Sequence, residues 1–215
     1  SSDLTGELLW LSIRSRPDIS YGVGMMGRNA LKNPRWSMNL GVQLLEFLKG
    51  TPTVGLVYGP CVSSHGEADQ LSIPRHDRLL EAFSDVSFAP GGERSIQGIV
   101  TCLAGGPIQW ESSRQAFSVL STAEAELMGY VESLTMLMSA EALMVAITGE
   151  PNGEGFEKVI LGDNLSAIQI VQKPDGPWRT RHLRLRANCL KEKLQLGNQW
   201  RICHVRSEER RVGKE

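Results

Sequence analysis

Three carboxylates in this chain have the surroundings that metal-dependent phosphodiester chemistry requires. Glu126 lies in residues 118–128 (SVLSTAEAELM) and falls in the first turn of a predicted helix. Asp85 lies within one predicted strand, and Asp163 ends another. Carboxylates ~5 Å apart repel by ~3 kcal/mol per pair at an effective dielectric of 20, so such a cluster favours a bound cation. Hard oxygen ligands favour Mg²⁺ or Mn²⁺, and a pair of such ions could promote an in-line phosphate displacement.

Taken one at a time, these residues leave other interpretations open. Glu124 and Glu126 could both be exposed on a helix surface. Asp163 could simply cap the helix that follows it, because Asp is a favoured N-cap residue. The single residues therefore indicate a site only weakly.

The elements that must position these residues follow from hydrophobic periodicity. The first 50 residues predict three helices, and a short strand is predicted over 54–58. Residues 59–78, rich in Gly, Pro and Ser, indicate a linker. Beyond it the pattern predicts strands over 80–88, 98–103, 108–111, 158–163 and 199–205, and helices over 121–148, 164–172 and 180–196. Three consecutive strands before any helix indicate an antiparallel start to the sheet.

Two helices have predicted buried stripes and caps. Ser121 and Glu124 form a capping box at the start of the long helix, and a capping box fixes where a helix begins. Its predicted buried stripe is Leu127, Val131, Leu134 and Met138. In the helix over 180–196 the predicted stripe is Leu183, Ala187, Leu190 and Leu194.

Charge is distributed unevenly along the chain although the net charge is −1. Residues 67–163 hold fifteen acids and five bases, and residues 173–206 hold nine bases and two acids. An acidic region that could hold cations, followed by a basic region that could hold phosphates, indicates a nucleic-acid enzyme. The alternative is that these charges only form solvated faces.

Several other classes of protein are disfavoured. The sequence has no unbroken apolar run of membrane length and no signal-like N-terminus, so we expect no membrane partner. Its four scattered cysteines indicate reduced thiols in an intracellular protein. Residues 22–27 (GVGMMG) match a dinucleotide-binding fingerprint, but no strand precedes them, so close helix packing is the better interpretation.

The joint pattern over residues 4–205 resembles the Pol polyprotein of copia-type retrotransposons. The family's first-strand motif is similar to residues 83–89 (FSDVSFA), and its helix motif is similar to residues 120–127 (LSTAEAEL). The Asp-Asn-x-Ser-Ala motif is intact over 163–167. Further matches lie at 5–10 (TGELLW), 16–19 (RPDI), 47–51 (FLKGT), 94–98 (RSIQG) and 110–115 (WESSRQ). The polymerase's own Tyr-Val-Asp-Asp site is absent.

The resemblance implies a fold and an activity. The expected fold is α/β, a ribonuclease H-like mixed five-stranded sheet with flanking helices, preceded by a small mainly helical segment. The implied activity is hydrolysis of the RNA strand of RNA–DNA hybrids during reverse transcription, with two Mg²⁺ or Mn²⁺ ions as cofactors. The other expected partner is the rest of the Pol polyprotein, in a cytoplasmic, virus-like particle. The resemblance makes Asp85, Glu126 and Asp163 the catalytic and metal-binding residues.

The same resemblance suggests a set of nucleic-acid contacts. Three polar side chains could reach the hybrid backbone beside the metals, and four arginines could clamp phosphates. The alternative for the arginines is a plain charged helix surface. The predicted contacts are Gln115, Asn164, Ser166, Arg179, Arg181, Arg184 and Arg186.

The sequence also departs from the family. Ser87 stands where the family has a second Asp, and Arg184 stands where it has another acid. Residues 206–215 match a translated sequencing adapter, so we expect a foreign tail in place of a last helix that carries a fourth carboxylate; a genuine charged tail is the alternative.

These observations define four expected regions and two rival functions. The regions are a thumb or connection segment over 1–58, the linker over 59–78, a truncated ribonuclease H-like domain over 79–205, and the tail over 206–215. The first rival to a hybrid-cutting enzyme is a degenerate ribonuclease H-like module that binds nucleic acid without cutting it. The second is a decayed genomic copy with no function.

Overall fold

A computed structural model of the chain describes residues 2–58, 76–89, 92–149, 155–172, 181–195 and 199–205. For residues 2 and 181–184 the structure describes the backbone but not the side chains. The chain divides into two compact units. The first is helical and consists mainly of residues 1–58, and the second is built on a β-sheet.

The helical unit contains three α-helices around a small apolar core. The helices are α1 (Ser2–Arg14), α2 (Ser20–Asn29) and α3 (Pro34–Gly50), and a single 3₁₀ turn (Pro17–Ile19) precedes α2. Helix α3 begins with Asn33 as its cap, which accepts a hydrogen bond from the Trp36 amide, and with Pro34 in its first turn. The buried core residues are Leu8, Ile19, Val23 and Met26.

One glycine of the dinucleotide-like segment and one glycine of α3 serve helix packing. Gly22 lies inside α2, and a Cβ there would come within 2.9 Å of the Leu44 side chain in α3. Gly41 in α3 is equally close to Met26. The absence of side chains at these positions lets α2 and α3 approach closely, as the sequence indicates.

Arg16 joins two of the sequence segments that carried the family resemblance. Its guanidinium donates to both carboxylate oxygens of Asp18, and it also donates to the Thr51 carbonyl (3.0 Å) and hydroxyl (2.8 Å) after α3. It also lies 5.5 Å from the centre of the Phe47 ring. The hydrogen bond from Arg16, first, and its charge hold the pKa of Asp18 below its ordinary value. This contact ties the turn before α2 to the end of α3.

The predicted strand over Val54–Tyr58 is wrong. These residues form neither helix nor strand, and they pair with no strand in the described part of the chain. A strand requires a hydrogen-bonded neighbour, which an apolar run alone does not provide.

The second unit contains a five-stranded mixed sheet in the order β3-β2-β1-β4-β5. Its strands are β1 (Leu79–Ser87), β2 (Ile96–Leu103), β3 (Gly106–Arg114), β4 (Glu157–Gly162) and β5 (Trp200–His204). Strand β1 pairs antiparallel with β2 and parallel with β4, and β4 pairs parallel with β5. With the helices, the element order is β-β-β-α-β-α-α-β, so the expected ribonuclease H-like fold class is confirmed.

A tight turn makes β3 longer than the sequence indicates. Ala104 and Gly105 both have positive φ, 52° and 83°, and connect β2 to β3. Two positive φ values in a two-residue loop match the right-handed twist of a hairpin. Strand β3 therefore starts directly after the turn, at Gly106 rather than at the predicted residue 108, and it ends at Arg114, beyond the predicted end at residue 111.

The long helix α4 (Thr122–Thr148) packs along the sheet together with α5 (Leu165–Gln172) and α6 (Arg181–Gln195). Its fully buried apolar stripe is Leu127, Tyr130 and Leu137, with Leu134 at 3% exposure. The prediction of Met138 in this stripe is wrong, since Met138 is 40% exposed. The helix makes one turn every 3.6 residues, so Leu137 faces the sheet and the next residue, Met138, does not.

Helix α4 is also long and apolar enough to cross a membrane, by length and composition alone, and it is the one described helix with this property. Eleven of its residues are buried within the fold. They all lie between Glu124 and Ala140, so core packing accounts for that part of the helix only. Just 28% of its 18-residue apolar stretch is buried, and Leu143 and Ile147 near its end are 58% and 68% exposed.

Apolar side chains from alternate strand positions cover both faces of the sheet. One cluster joins Leu80, Ala82 and Ile160 to the stripe of α4 and to Ala187 and Leu190 of α6. The other consists of Leu79, Val159 and Leu161, with partly buried neighbours. Because β1 and β4 are buried on both faces, their register is strongly specified.

Candidate metal centre

The three predicted carboxylates come together at one place in the sheet unit. One carboxylate oxygen from each of Asp85, Glu126 and Asp163 lies within 4.8 Å of the other two. Asp85 is exposed, Asp163 is half-buried and Glu126 is buried. An oxygen set of this size, open to solvent on one side, fits the ligand preferences of Mg²⁺ and Mn²⁺.

Strand register places the two aspartates. In the parallel pairing of β1 with β4, Ser84 lies opposite Gly162. Asp85 and Asp163 are the next residues after this last pair, so the two aspartates lie side by side just beyond the β1–β4 ladder. Parallel strands end at the same edge of a sheet, which is where ligands bind in α/β folds.

The capping arrangement of α4 separates the roles of its two glutamates. The Ser121 hydroxyl accepts a hydrogen bond from the Glu124 amide (3.1 Å), and the Glu124 carboxylate accepts one from the Leu120 amide (2.8 Å). Glu124 is therefore engaged at the start of the helix. Glu126, two residues later, is the glutamate that joins the two aspartates.

Two glycines allow α4 to approach the sheet closely enough for this meeting. A Cβ on Gly129 would come within 2.6 Å of the Ser84 hydroxyl, and a Cβ on Gly162 would come within 2.3 Å of the Tyr130 ring. Tyr130 is fully buried, one helical turn after Glu126. The Tyr130 ring therefore occupies the space that Gly162 leaves open, directly before Asp163.

The charge of the carboxylate cluster also affects the pKa of Tyr130. Burial, first, and then the negative charge of Glu126, with smaller effects of Asp163 and Asp85, raise the pKa of the Tyr130 hydroxyl well above its ordinary value. All three carboxylates act on one hydroxyl in the same direction. The negative potential at this end of the sheet is the electrostatic setting that a divalent cation prefers.

The predicted nucleic-acid contacts have different positions. Ser166 is exposed and Asn164 is half-buried, and the Asn164 side chain caps α5 by accepting from the Ala167 amide (3.0 Å). Gln115 differs most from expectation, because it is buried at 2% exposure and its amide nitrogen is bonded to protein acceptors. Direct contact with a nucleic-acid strand requires an accessible side chain, which Gln115 does not have.

The arginines are only partly described. Arg186 lies over the Phe117 ring, 5.3 Å from its centre, and Phe117 is 58% exposed. Arg181 and Arg184 belong to α6, but their side chains lie outside the described features, and Arg179 lies outside the described residues.

Sequence reasoning missed residues that lie next to the carboxylate cluster. Tyr130 and Gly162 were not singled out, although a glycine inside a buried strand signals a close approach of another group. The spacing of four residues from Glu126 also places Tyr130 on the same face of α4. His204 is a further neighbour, since its Nε2 donates to the Asp163 carbonyl at 3.1 Å.

Comparison with known proteins relates the chain to transposon polyproteins. The chain is 26% identical over 194 residues to the retrovirus-related Pol polyprotein from transposon TNT 1-94 of Nicotiana tabacum, which covers 89% of this chain and 13% of that protein. It is 23% identical over 204 residues to the transposon Ty1-DR5 Gag-Pol polyprotein of Saccharomyces cerevisiae, which covers 94% of this chain and 11% of that protein. No protein-family model matches the chain.

Among solved structures, the chain is similar to LC11 ribonuclease H1, isolated from compost, with a TM-score of 0.47 and 13% identity. That likeness covers 61% of this chain and 87% of the other. The chain spans only about an eighth of the length of the curated polyproteins it matches. Over about nine tenths of its own length, the chain is a relative of the copia-like retrotransposon Pol polyproteins.

Proposed function

We propose that this chain is a metal-dependent endonuclease that hydrolyses the RNA strand of RNA–DNA hybrids. The observation that carries the proposal is the meeting of Asp85, Glu126 and Asp163 within 4.8 Å, contributed by β1, α4 and the end of β4. The relationship to Pol polyproteins supports the same activity, because reverse transcription leaves RNA paired to new DNA. In the parent polyprotein, residues 1–58 would connect the polymerase to this nuclease in a cytoplasmic particle.

Each carboxylate has a distinct contribution in this proposal. Asp85, which is exposed, and Asp163, which is half-buried, would present oxygens toward the substrate side. Glu126, which is only 5% exposed, would complete the oxygen set from the buried side of the cluster. Two divalent ions bound there would supply Lewis-acid activation of a water and charge neutralisation at the leaving oxygen.

Substrate binding would come from groups around the cluster. Ser166 is exposed in the first turn of α5 and would contact the sugar-phosphate backbone next to Asp163. The basic residues of α6, with Arg186 stacked on Phe117, would add charge and an aromatic surface for a flexible strand. Such contacts position the scissile phosphate without reading its sequence.

The test is cleavage of a hybrid whose RNA strand is end-labelled, with the 215-residue chain in Mg²⁺. We expect internal cuts in the RNA, none in the DNA strand, and none in the presence of a chelator. Asp163→Asn should lower the cleavage rate at least ~100-fold, because an amide oxygen replaces a charged ligand oxygen.

Asp77→Asn is the matched control, since Asp77 is exposed in the segment before β1 and lies outside the carboxylate cluster. This variant should cleave at the wild-type rate. Circular dichroism should show that both variants keep the fold. Hybrid binding without cleavage by the wild-type chain, in both Mg²⁺ and Mn²⁺, would instead support the degenerate binding module.

A further inference from the structure

The amide of Gln115 has an unusual position for a residue next to a solvent-exposed site. It lies just after β3, its backbone amide donates to the Ser95 carbonyl (2.8 Å), and its side chain is 2% exposed. The side-chain nitrogen donates to the Ala125 carbonyl (2.8 Å) and to the Gln97 side-chain oxygen (3.3 Å). Both amide hydrogens are therefore used inside the protein.

These two acceptors stand next to two of the clustered carboxylates. Ala125 immediately precedes Glu126 in the first turn of α4. Gln97 lies in β2 opposite Val86, and its neighbour Gly98 lies opposite Asp85. One side chain thus links the strand that supports Asp85 to the helix turn that carries Glu126.

The orientation of the amide is fixed by its surroundings. The reverse orientation would point the Gln115 oxygen at the Ala125 carbonyl oxygen, a backbone acceptor that cannot donate and would repel it. In the observed orientation that oxygen is buried and has no hydrogen-bond partner among the described residues. A buried acceptor without a partner is rare, and here it accompanies a nitrogen that serves two acceptors.

We propose that Gln115 is a positioning residue that sets the separation of Asp85 and Glu126 and thereby the affinity of the site for divalent cations. This inference rests on the proposed metal-dependent function and replaces the expected direct contact of Gln115 with the hybrid. Metal sites need their ligands held to within a fraction of an ångström, and loss of a supporting hydrogen bond lowers metal affinity ~10–100-fold.

The experiment replaces Gln115 with methionine, which has similar length and shape but no hydrogen-bond donor. Mn²⁺ binding to the full 215-residue chain is measured by titration calorimetry, and cleavage of the RNA–DNA hybrid gives kcat and KM. For Gln115→Met we expect Mn²⁺ affinity and kcat to fall at least ~10-fold, with KM for the hybrid changed less than ~2-fold. A direct contact with the hybrid would raise KM and leave Mn²⁺ affinity unchanged, which would overturn the proposal.

Gln109→Met is the matched control, because Gln109 is exposed in β3 of the same sheet. It should leave Mn²⁺ affinity, kcat and KM unchanged. If Gln115→Met fails to fold, Gln97→Met provides the test, since it removes one of the two acceptors while the Ala125 bond remains. Its Mn²⁺ affinity should fall by less than that of Gln115→Met, and wild-type affinity for Gln97→Met would refute the link to β2.

A readout independent of metal binding separates this inference from the proposed function. Amide hydrogen exchange at Glu126 and Leu127, which follow Ala125 in α4, should be faster in Gln115→Met than in the wild-type chain, while exchange in β4 is unchanged. If the wild-type chain binds no Mn²⁺, the proposed function fails, and faster exchange still supports the positioning of Glu126. Unchanged exchange at these two amides would overturn the inference even if the wild-type chain binds Mn²⁺.

Discussion

Replacing Gly162 with alanine should disrupt the carboxylate cluster without touching a charged residue. An added Cβ would lie 2.3 Å from Cε1, 2.4 Å from the hydroxyl oxygen and 2.6 Å from Cζ of Tyr130. Carbon atoms in contact sit about 3.5–4.0 Å apart, so the ring or the strand must move by about 1 Å or more. Tyr130 is fully buried, so its ring cannot move out into solvent to relieve the overlap.

The cost follows from this overlap. Overpacking a well-packed core costs about 1–3 kcal/mol, and three overlapping atoms on a fully buried ring favour the upper end. For a chain of this length, about 3 kcal/mol corresponds to a fall in Tm of about 6–12 °C. Mn²⁺ affinity should fall as well, because Asp163 follows Gly162 directly and Glu126 is one turn before Tyr130.

Thermal unfolding followed by circular dichroism, together with Mn²⁺ titration, measures both effects. Gly162→Ala should cost less in a Tyr130→Leu background, since the smaller side chain makes room for the methyl group. Gly6→Ala is the control: no heavy atom lies within 4 Å of its added Cβ, and alanine inside α1 should stabilise by up to about 1 kcal/mol. A wild-type Tm for Gly162→Ala, or a cost that Tyr130→Leu does not reduce, would refute this account of the packing.

Two further predictions concern the arginines. Asp18→Asn should lower the free energy of unfolding by about 1 kcal/mol at pH 7. Because the pKa of Asp18 is lowered in the folded state, the stabilisation from its carboxylate is complete above the ordinary Asp pKa of ~3.9 and is lost as the pH falls through the folded-state pKa. Denaturant unfolding should therefore show that the difference in stability between variant and wild type vanishes in acid. Arg181→Ala combined with Arg184→Ala should weaken binding to the hybrid and reduce the slope of log K against log salt by up to about 2, as measured by fluorescence anisotropy; an unchanged slope would mean that α6 only presents a solvated charged face.

Much of the fold was predictable because its patterns are local. Strand β4 contains the apolar run Val159-Ile160-Leu161, α4 begins with a Ser121–Glu124 cap, and Gly149 ends α4 with a positive φ of 71°. Periodicity and capping report such features from neighbouring residues alone. The meeting of the three carboxylates was also anticipated, through the resemblance rather than through the individual residues.

The remaining features depend on contacts between distant parts of the chain. The fit of Tyr130 against Gly162, the buried amide of Gln115 and the exposure of Met138 all depend on how α4 is rotated against the sheet. Residues 54–58 illustrate the converse, since they have strand-like composition but no partner strand in the part of the chain that the structure describes. Sequence patterns report propensity, whereas these outcomes are decided by tertiary packing.

The parallel pairing of β1 with β4 has a consequence for how the chain folds. Leu79 pairs with Glu157, about 80 positions later, whereas β1, β2 and β3 are connected through short loops. Closing a long loop has a high entropic cost, so such pairings form slowly compared with hairpins and helices. We therefore expect the chain to gain most of its secondary structure before Asp85 and Asp163 meet. In a refolding experiment, recovery of divalent-ion binding should lag behind recovery of helix content, so that the ion reports the completion of folding.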